Sequence, residues 1–186
     1  MPSFNHFFRA PVWRKDVRII LIAVLVVALD QFTKQLALRL LGPERERIII
    51  EGFFRFVCWC NTGAAYSFLR GHNGWLAVVA VVAIVVLFCT KHHFQADTTM
   101  GQVAFGLIFG GIVGNLFDRV HYKYVVDFLR FYLDQRGGTE IGFPAFNVAD
   151  SAICTGVGLI FLITWREEQK ARAAAAAASP EVEQKA

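Results

Sequence analysis

The sequence predicts an all-α polytopic membrane protein: four transmembrane helices with a small extracytoplasmic β-containing region. Three observations lead there. Over 186 residues the chain is 55% hydrophobic and only 18% charged, with a mean hydropathy of +0.45, which is too apolar for a water-soluble domain of this length. Four apolar runs, at about residues 17–41, 75–90, 100–116 and 147–165, approach the length that crosses a bilayer core. The Lys and Arg residues behind the formal charge of +4 gather at the ends of those runs. They form no basic stripe with interleaved aromatics, which argues against a nucleic-acid partner.

The first run, IILIAVLVVAL, follows Arg14, Lys15 and Arg18 and resembles the start of a leader peptide. No small-x-small cleavage site closes it, and helical spacing continues through DQFTKQLALRLL, so it reads as a retained span. Within it Asp30 and Lys34 lie four apart, the spacing of an intrahelical ion pair that lowers the cost of burying both. The connection RIIIEGFFRFVCWCNTGAAYSF is rich in β-branched and aromatic residues and punctuated by glycine, which predicts a short strand pair. Asn61-Thr62-Gly63 has the composition of a turn.

The second run carries no charge. The third places Gly106, Gly110, Gly111 and Gly114 at spacings that let a neighbouring helix approach closely. It ends near Asn115, Asp118 and Arg119. Asp118 and Arg119 read as an interfacial pair with Arg119 reaching for headgroups, or, with Asn115 one turn earlier, as a brace beside a site. The fourth run opens at Asn147, a helix-capping residue, and Asp150 falls where a carboxylate suits both the cap and the helix dipole. The Cys-x-Cys of Cys58 and Cys60, and Cys89 and Cys154, lack the partners of a zinc site and read as small buried hydrophobes.

Residues 1–166 thus form a single membrane domain. Residues 167–186, ending in ARAAAAAASPEVEQKA, form a low-complexity tail that is helix-permissive until Pro180, with a frayed end expected. Basic residues flank the start (Arg9, Arg14, Lys15, Arg18), the second short loop (Lys91 with His92 and His93) and the end of the fourth run (Arg166, Lys170, Arg172). The positive-inside rule therefore puts both termini in the cytoplasm and the two long connections, about 42–74 and 117–146, outside.

Asp127 and Asp150 both come to that outer surface. Taken alone, Asp150 is explained as a helix-start residue. Two carboxylates that approach to a few ångströms share one proton, so one serves as base and the other as acid. That pairing is what an aspartic hydrolase needs to activate water against a peptide carbonyl. The competing reading is a small ion-coupled transporter or channel subunit, with Asp30, Lys34, Asp127 and Asp150 as a proton or cation path. It predicts charge near the bilayer midplane and an internal repeat; the centres of the later runs carry none, and no repeat is visible.

The stretches DQFTK (Asp30 to Lys34), NTGAAYSF (Asn61 to Phe68), GGIVGNLFDR with VVDF (Gly110 to Arg119, Val125 to Phe128) and FNVADSA (Phe146 to Ala152) together resemble lipoprotein signal peptidase, or signal peptidase II. They stand in the family's order and cover residues 17–165 with the four spans. The resemblance implies an aspartic peptidase of the bacterial cytoplasmic membrane that removes a prolipoprotein's signal peptide before the lipidated Cys. By motif it makes Asp127 and Asp150 catalytic. It makes Asn61, Gly63, Asn115, Asp118, Arg119 and Asn147 substrate-binding or site-bracing residues, and it adds Asp30 and Lys34 to them. It implies no metal or organic cofactor, and a monomer in membrane lipid whose partner is the lipidated prolipoprotein. Two positions depart from the pattern: Tyr66 where Phe is frequent, and Lys123 where Gly is common.

Overall fold

Each apolar run forms one helix, and each helix extends past the run that predicts it. In the computed structural model, which describes residues 13–63, 71–135 and 139–178, the order is α1 (Trp13–Leu40), β1 (Glu46–Ile50), β2 (Phe54–Asn61), α2 (Asn73–Thr90), α3 (Thr99–His121), β3 (Val125–Asp134), β4 (Glu140–Gly142) and α4 (Val148–Ala178). A single 3-10 turn, Lys91–Phe94, joins α2 to α3. Tyr66, Arg9 and the end of the tail lie outside the described residues.

All four helices are long and apolar enough to cross a membrane. The centre of the bundle is α3, which buries a file running from Gly101 through Phe105, Ile108 and Gly111 to Asn115 and Asp118. Its glycines allow this. A Cβ on Gly110 would stand 2.6 Å from Val26 of α1, and one on Gly111 would press into Ala149 and Ile153 of α4. By contrast α2 has no buried residue; a helix that is apolar from Trp75 to Cys89 suits a lipid surround. Cys89 and Cys154 are exposed, Cys154 at the edge of a cleft, and only Cys58 is buried, since lying within an apolar run does not place a side chain inside the protein.

The β content exceeds the expected strand pair, and the all-α description gives way to helices plus a four-stranded antiparallel sheet in the order β1-β2-β3-β4. The two added strands come from the second long connection. Its β3 begins with four buried residues, Val125 to Phe128, so the alternation that marks a half-buried strand is missing there, and β4 has only three residues. The segment before α4 is stitched to β3 by Leu129 N–H to the Phe146 carbonyl at 2.9 Å and Phe146 N–H to the Leu129 carbonyl at 3.0 Å. This brings the strand bearing Asp127 against the first turn of α4.

Between α3 and β3 the chain turns through Lys123 at φ +68°. This left-handed conformation costs a side-chain-bearing residue more than glycine, which accounts physically for the glycine common at that place. Lys123 donates to the Val120 carbonyl at 2.9 Å.

Candidate active site

Asp127 lies on β3 opposite Trp59 of β2 and is 4% exposed. Asp150 is the third residue of α4 and half-buried. Its backbone N–H donates to Asn147 Oδ1 at 2.9 Å, and Asn147 N–H donates to Asp150 Oδ2 at 3.2 Å. This reciprocal cap satisfies two donors at the helix start, so the capping reading of Asp150 is correct and leaves its other oxygen for the cleft.

Three asparagines surround the pair. Asn147 Nδ2 donates to Asp127 Oδ1 at 2.8 Å, Asn61 Nδ2 to Asp127 Oδ2 at 2.9 Å, and Asn115 Nδ2 to Asp150 Oδ1 at 2.7 Å. Both carboxylates open on one cleft of about 460 Å³, shared with Asn61, Asn115 and Arg119 and walled by Phe143, Pro144 and Phe146. Burial, and then the neighbouring Asp150 carboxylate, push the Asp127 carboxyl up to about 7 against the opposing pull of the Asn61 and Asn147 amides and of Lys34. A proton is therefore held at this site near neutrality.

Behind the asparagines, α1 and α3 carry a buried ionic network. Lys34 Nζ stands 2.7 Å from Asp30 Oδ2 and 2.8 Å from Asp118 Oδ2, and donates to Asn115 Oδ1 at 2.9 Å. None of the three charged residues is more than 1% exposed. Asp30 Oδ1 also accepts the Ala149 N–H at 2.9 Å, so a carboxylate of α1 caps the first turn of α4. The intrahelical pair expected of Asp30 and Lys34 is present, and it spans three helices.

Arg119 donates to the Gly63 carbonyl at 3.2 Å and to the Asn115 carbonyl at 3.3 Å. It thus belongs to the cleft wall and not to a headgroup-facing pair with Asp118, which turns inward to Lys34. Gly63 serves through its backbone, its N–H held by Asn61 Oδ1 at 2.8 Å. The ten residues that the resemblance assigns to the site are brought into this one assembly.

Sequence reasoning missed Gln31, whose amide donates to Asp118 Oδ1 at 2.8 Å and to Asp30 Oδ2 at 3.2 Å. Its place inside DQFTK was the available signal. It also missed Asn73, which donates to the Arg119 carbonyl at 2.9 Å, and the Phe143–Phe146 wall. Among the described residues no group of three His, Cys, Asp or Glu side chains is placed to hold a metal ion.

A family model described as signal peptidase (SPase) II matches residues 22–166. A lipoprotein signal peptidase of Syntrophotalea carbinolica is 40% identical over 152 residues, covering 80% of this chain and 91% of its own. One of Pseudomonas paraeruginosa is 35% identical over 94% of this chain and 99% of its own. A bacterial membrane enzyme solved by the in meso method at 2.3 Å resolution superposes with a TM-score of 0.70 at 31% identity, over 82% of this chain and 90% of that one.

Proposed function

The chain belongs to the signal peptidase II family, and on that premise we propose that it removes the signal peptide from diacylglyceryl-modified prolipoproteins by an aspartic mechanism, cutting before the lipidated Cys. The observation that carries the mechanism is the convergence of Asp127 and Asp150 on one cleft, bridged by Asn147, whose side-chain amide donates to Asp127 and whose backbone N–H donates to Asp150. One carboxylate takes a proton from water as it attacks the peptide carbonyl, and the other gives a proton to the carbonyl oxygen. Arg119 and the Asn61 and Asn115 amides form the polar wall that holds the peptide.

The acyl chains of the substrate stay in the bilayer and its apolar signal helix lies among the spans, so the scissile bond reaches a cleft at the helix ends. Carboxylates at that depth avoid most of the midplane penalty. The orientation proposed has both termini in the cytoplasm of a bacterial inner membrane and the cleft on the outer side, which the Lys and Arg bias supports. The protein acts as a monomer, and no cofactor is assigned to it.

The test is a mobility-shift cleavage assay with purified protein and a diacylglyceryl-modified prolipoprotein. Asp127→Asn and Asp150→Asn fold and fail to cleave, while Asp134→Asn, exposed at the end of β3, cleaves like the parent. Cleavage by either dyad variant at the parental rate would overturn the mechanism, and an inactive parent the substrate.

A further inference from the structure

The three asparagines between the carboxylates have no freedom in which way their amides face. Lys34 Nζ, which can only donate, meets Asn115 at 2.9 Å. That atom is therefore the amide oxygen, and the Asn115 NH2 must be the group 2.7 Å from Asp150 Oδ1. Backbone N–H groups fix the other two. The Asp150 N–H takes the Asn147 oxygen and the Gly63 N–H takes the Asn61 oxygen, which leaves both remaining NH2 groups for Asp127. A flip of any amide would set a donor against a donor.

The two carboxyls are equal in donors but not in surroundings. Asp127, on a strand and 4% exposed, receives neutral side-chain amides only. Asp150 is half-buried in the first turn of α4, where the aligned peptide dipoles of the helix favour a negative charge, and receives the Asn147 backbone N–H and an Asn115 amide polarised by an ammonium behind it. The other charged groups around the dyad are Arg119 of α3 and, behind Asn115, Lys34 and Asp30 of α1 and Asp118 of α3, with the Cys60 thiol of β2 near Asp127. Arg119 faces both carboxyls, and Asp30 and Asp118 are taken up by Lys34.

Building on the aspartic reading above, we propose that Lys34, acting through Asn115 as a positioning residue, fixes Asp150 as the ionised member of the dyad and leaves the shared proton on Asp127. Asp150 takes a proton from water as the water oxygen bonds to the carbonyl carbon, and Asp127 gives its proton to the carbonyl oxygen. In the collapse the carbon–nitrogen bond breaks, Asp150 protonates the leaving nitrogen, and a hydroxyl proton returns to Asp127. The upward-shifted Asp127 carboxyl agrees with this order.

The probe is a peptide in which a hydroxyl-bearing isostere replaces the scissile amide ahead of a diacylglyceryl cysteine. Asn mimics a protonated carboxyl, so Asp127→Asn binds the probe with near-parental affinity and loses the parent's weakening above neutral pH. Asp150→Asn, which removes the charge that accepts from the hydroxyl, loses about tenfold to a hundredfold. The reverse order, or equal losses, overturns the assignment even when the parent cleaves; a parent that does not cleave tells instead against the function.

Lys34 is tested in Lys34→Met with Asp118→Asn, which keeps the net charge of the buried network. With helical content preserved, kcat falls about tenfold or more while KM stays within about twofold, and Asp118→Asn alone falls less. Parental kcat in the folded double variant, or a loss fully reproduced by Asp118→Asn alone, overturns the role of Lys34.

Discussion

Asp30 serves two elements with one carboxylate: Oδ2 receives the Lys34 ammonium of its own helix, and Oδ1 the Ala149 N–H of α4. Removing it leaves a buried ammonium under-compensated, a loss of about 3 to 5 kcal/mol. Asp16 bonds Lys91 at 2.6 Å with its side chain 45% exposed, where a pair contributes about 0 to 1 kcal/mol. Asp30→Ala should therefore cost far more stability and turnover than Asp16→Ala, read by thermal melts in detergent and by the cleavage assay; equal, negligible effects would contradict this. Asp127 gives a pH prediction. Its folded carboxyl titrates near 7 against an ordinary 3.8, so its stabilisation is full below about 3.8 and is lost as pH rises through about 7. Asp127→Asn cannot ionise and should gain on the parent as pH rises, by up to about 4 kcal/mol above neutrality; a melting-temperature difference flat between acid and alkaline buffer would refute it. The identities of these residues were legible from four short motifs. Their bonds were not, because the Asp30 to Ala149 contact spans 119 positions and depends on how three helices pack.

The approach of α4 to α3 at Gly111 is the element-scale condition for the site. Any side chain on Gly111 meets Ala149, next to Asp150, and Ile153, about one turn further on, so it displaces the turn that carries the carboxylate. Gly111→Ala is expected to lose about 1 to 3 kcal/mol of stability and most of the cleavage rate. Gly158→Ala, on the same pair of helices' second member with nothing within 4 Å of its added carbon, is expected to change neither. A Gly111→Ala variant as active and as stable as the parent would show that the helices separate without consequence. The helices themselves were readable from hydropathy and the glycine spacing from the motif. The sheet was half readable. β1 and β2 announce themselves through Ile, Phe and Val, whereas β3 enters buried on both faces and β4 is held to its neighbours by the Glu140 ion pairs with Arg55 and Arg130, which no periodicity records.

At the scale of the molecule, the length of α4 bears on topology. Its 31 residues extend about 46 Å at about 1.5 Å per residue, against a hydrocarbon core of about 30 Å. With Asp150 at one face of that core, the helix needs about 20 residues to cross it and leaves near Lys170. From Arg166 onward it is mostly exposed, with Lys170 paired to Glu167 and Arg172 near Glu168. Alanine sustains the helix to Ala178, within the stretch that is helix-permissive up to Pro180. In the proposed topology the two ends of α4, one carrying these charges and the other the carboxylate dyad, face opposite compartments. A fluorescent reporter that folds only in the cytoplasm should therefore be bright after Ala186, and an alkaline phosphatase that needs an oxidising compartment should be active when fused after Gln135, beyond β3. Bright phosphatase signal at the C-terminus would invert the molecule. The dyad would then face the cytoplasm, and a substrate exported before lipid modification could no longer reach it.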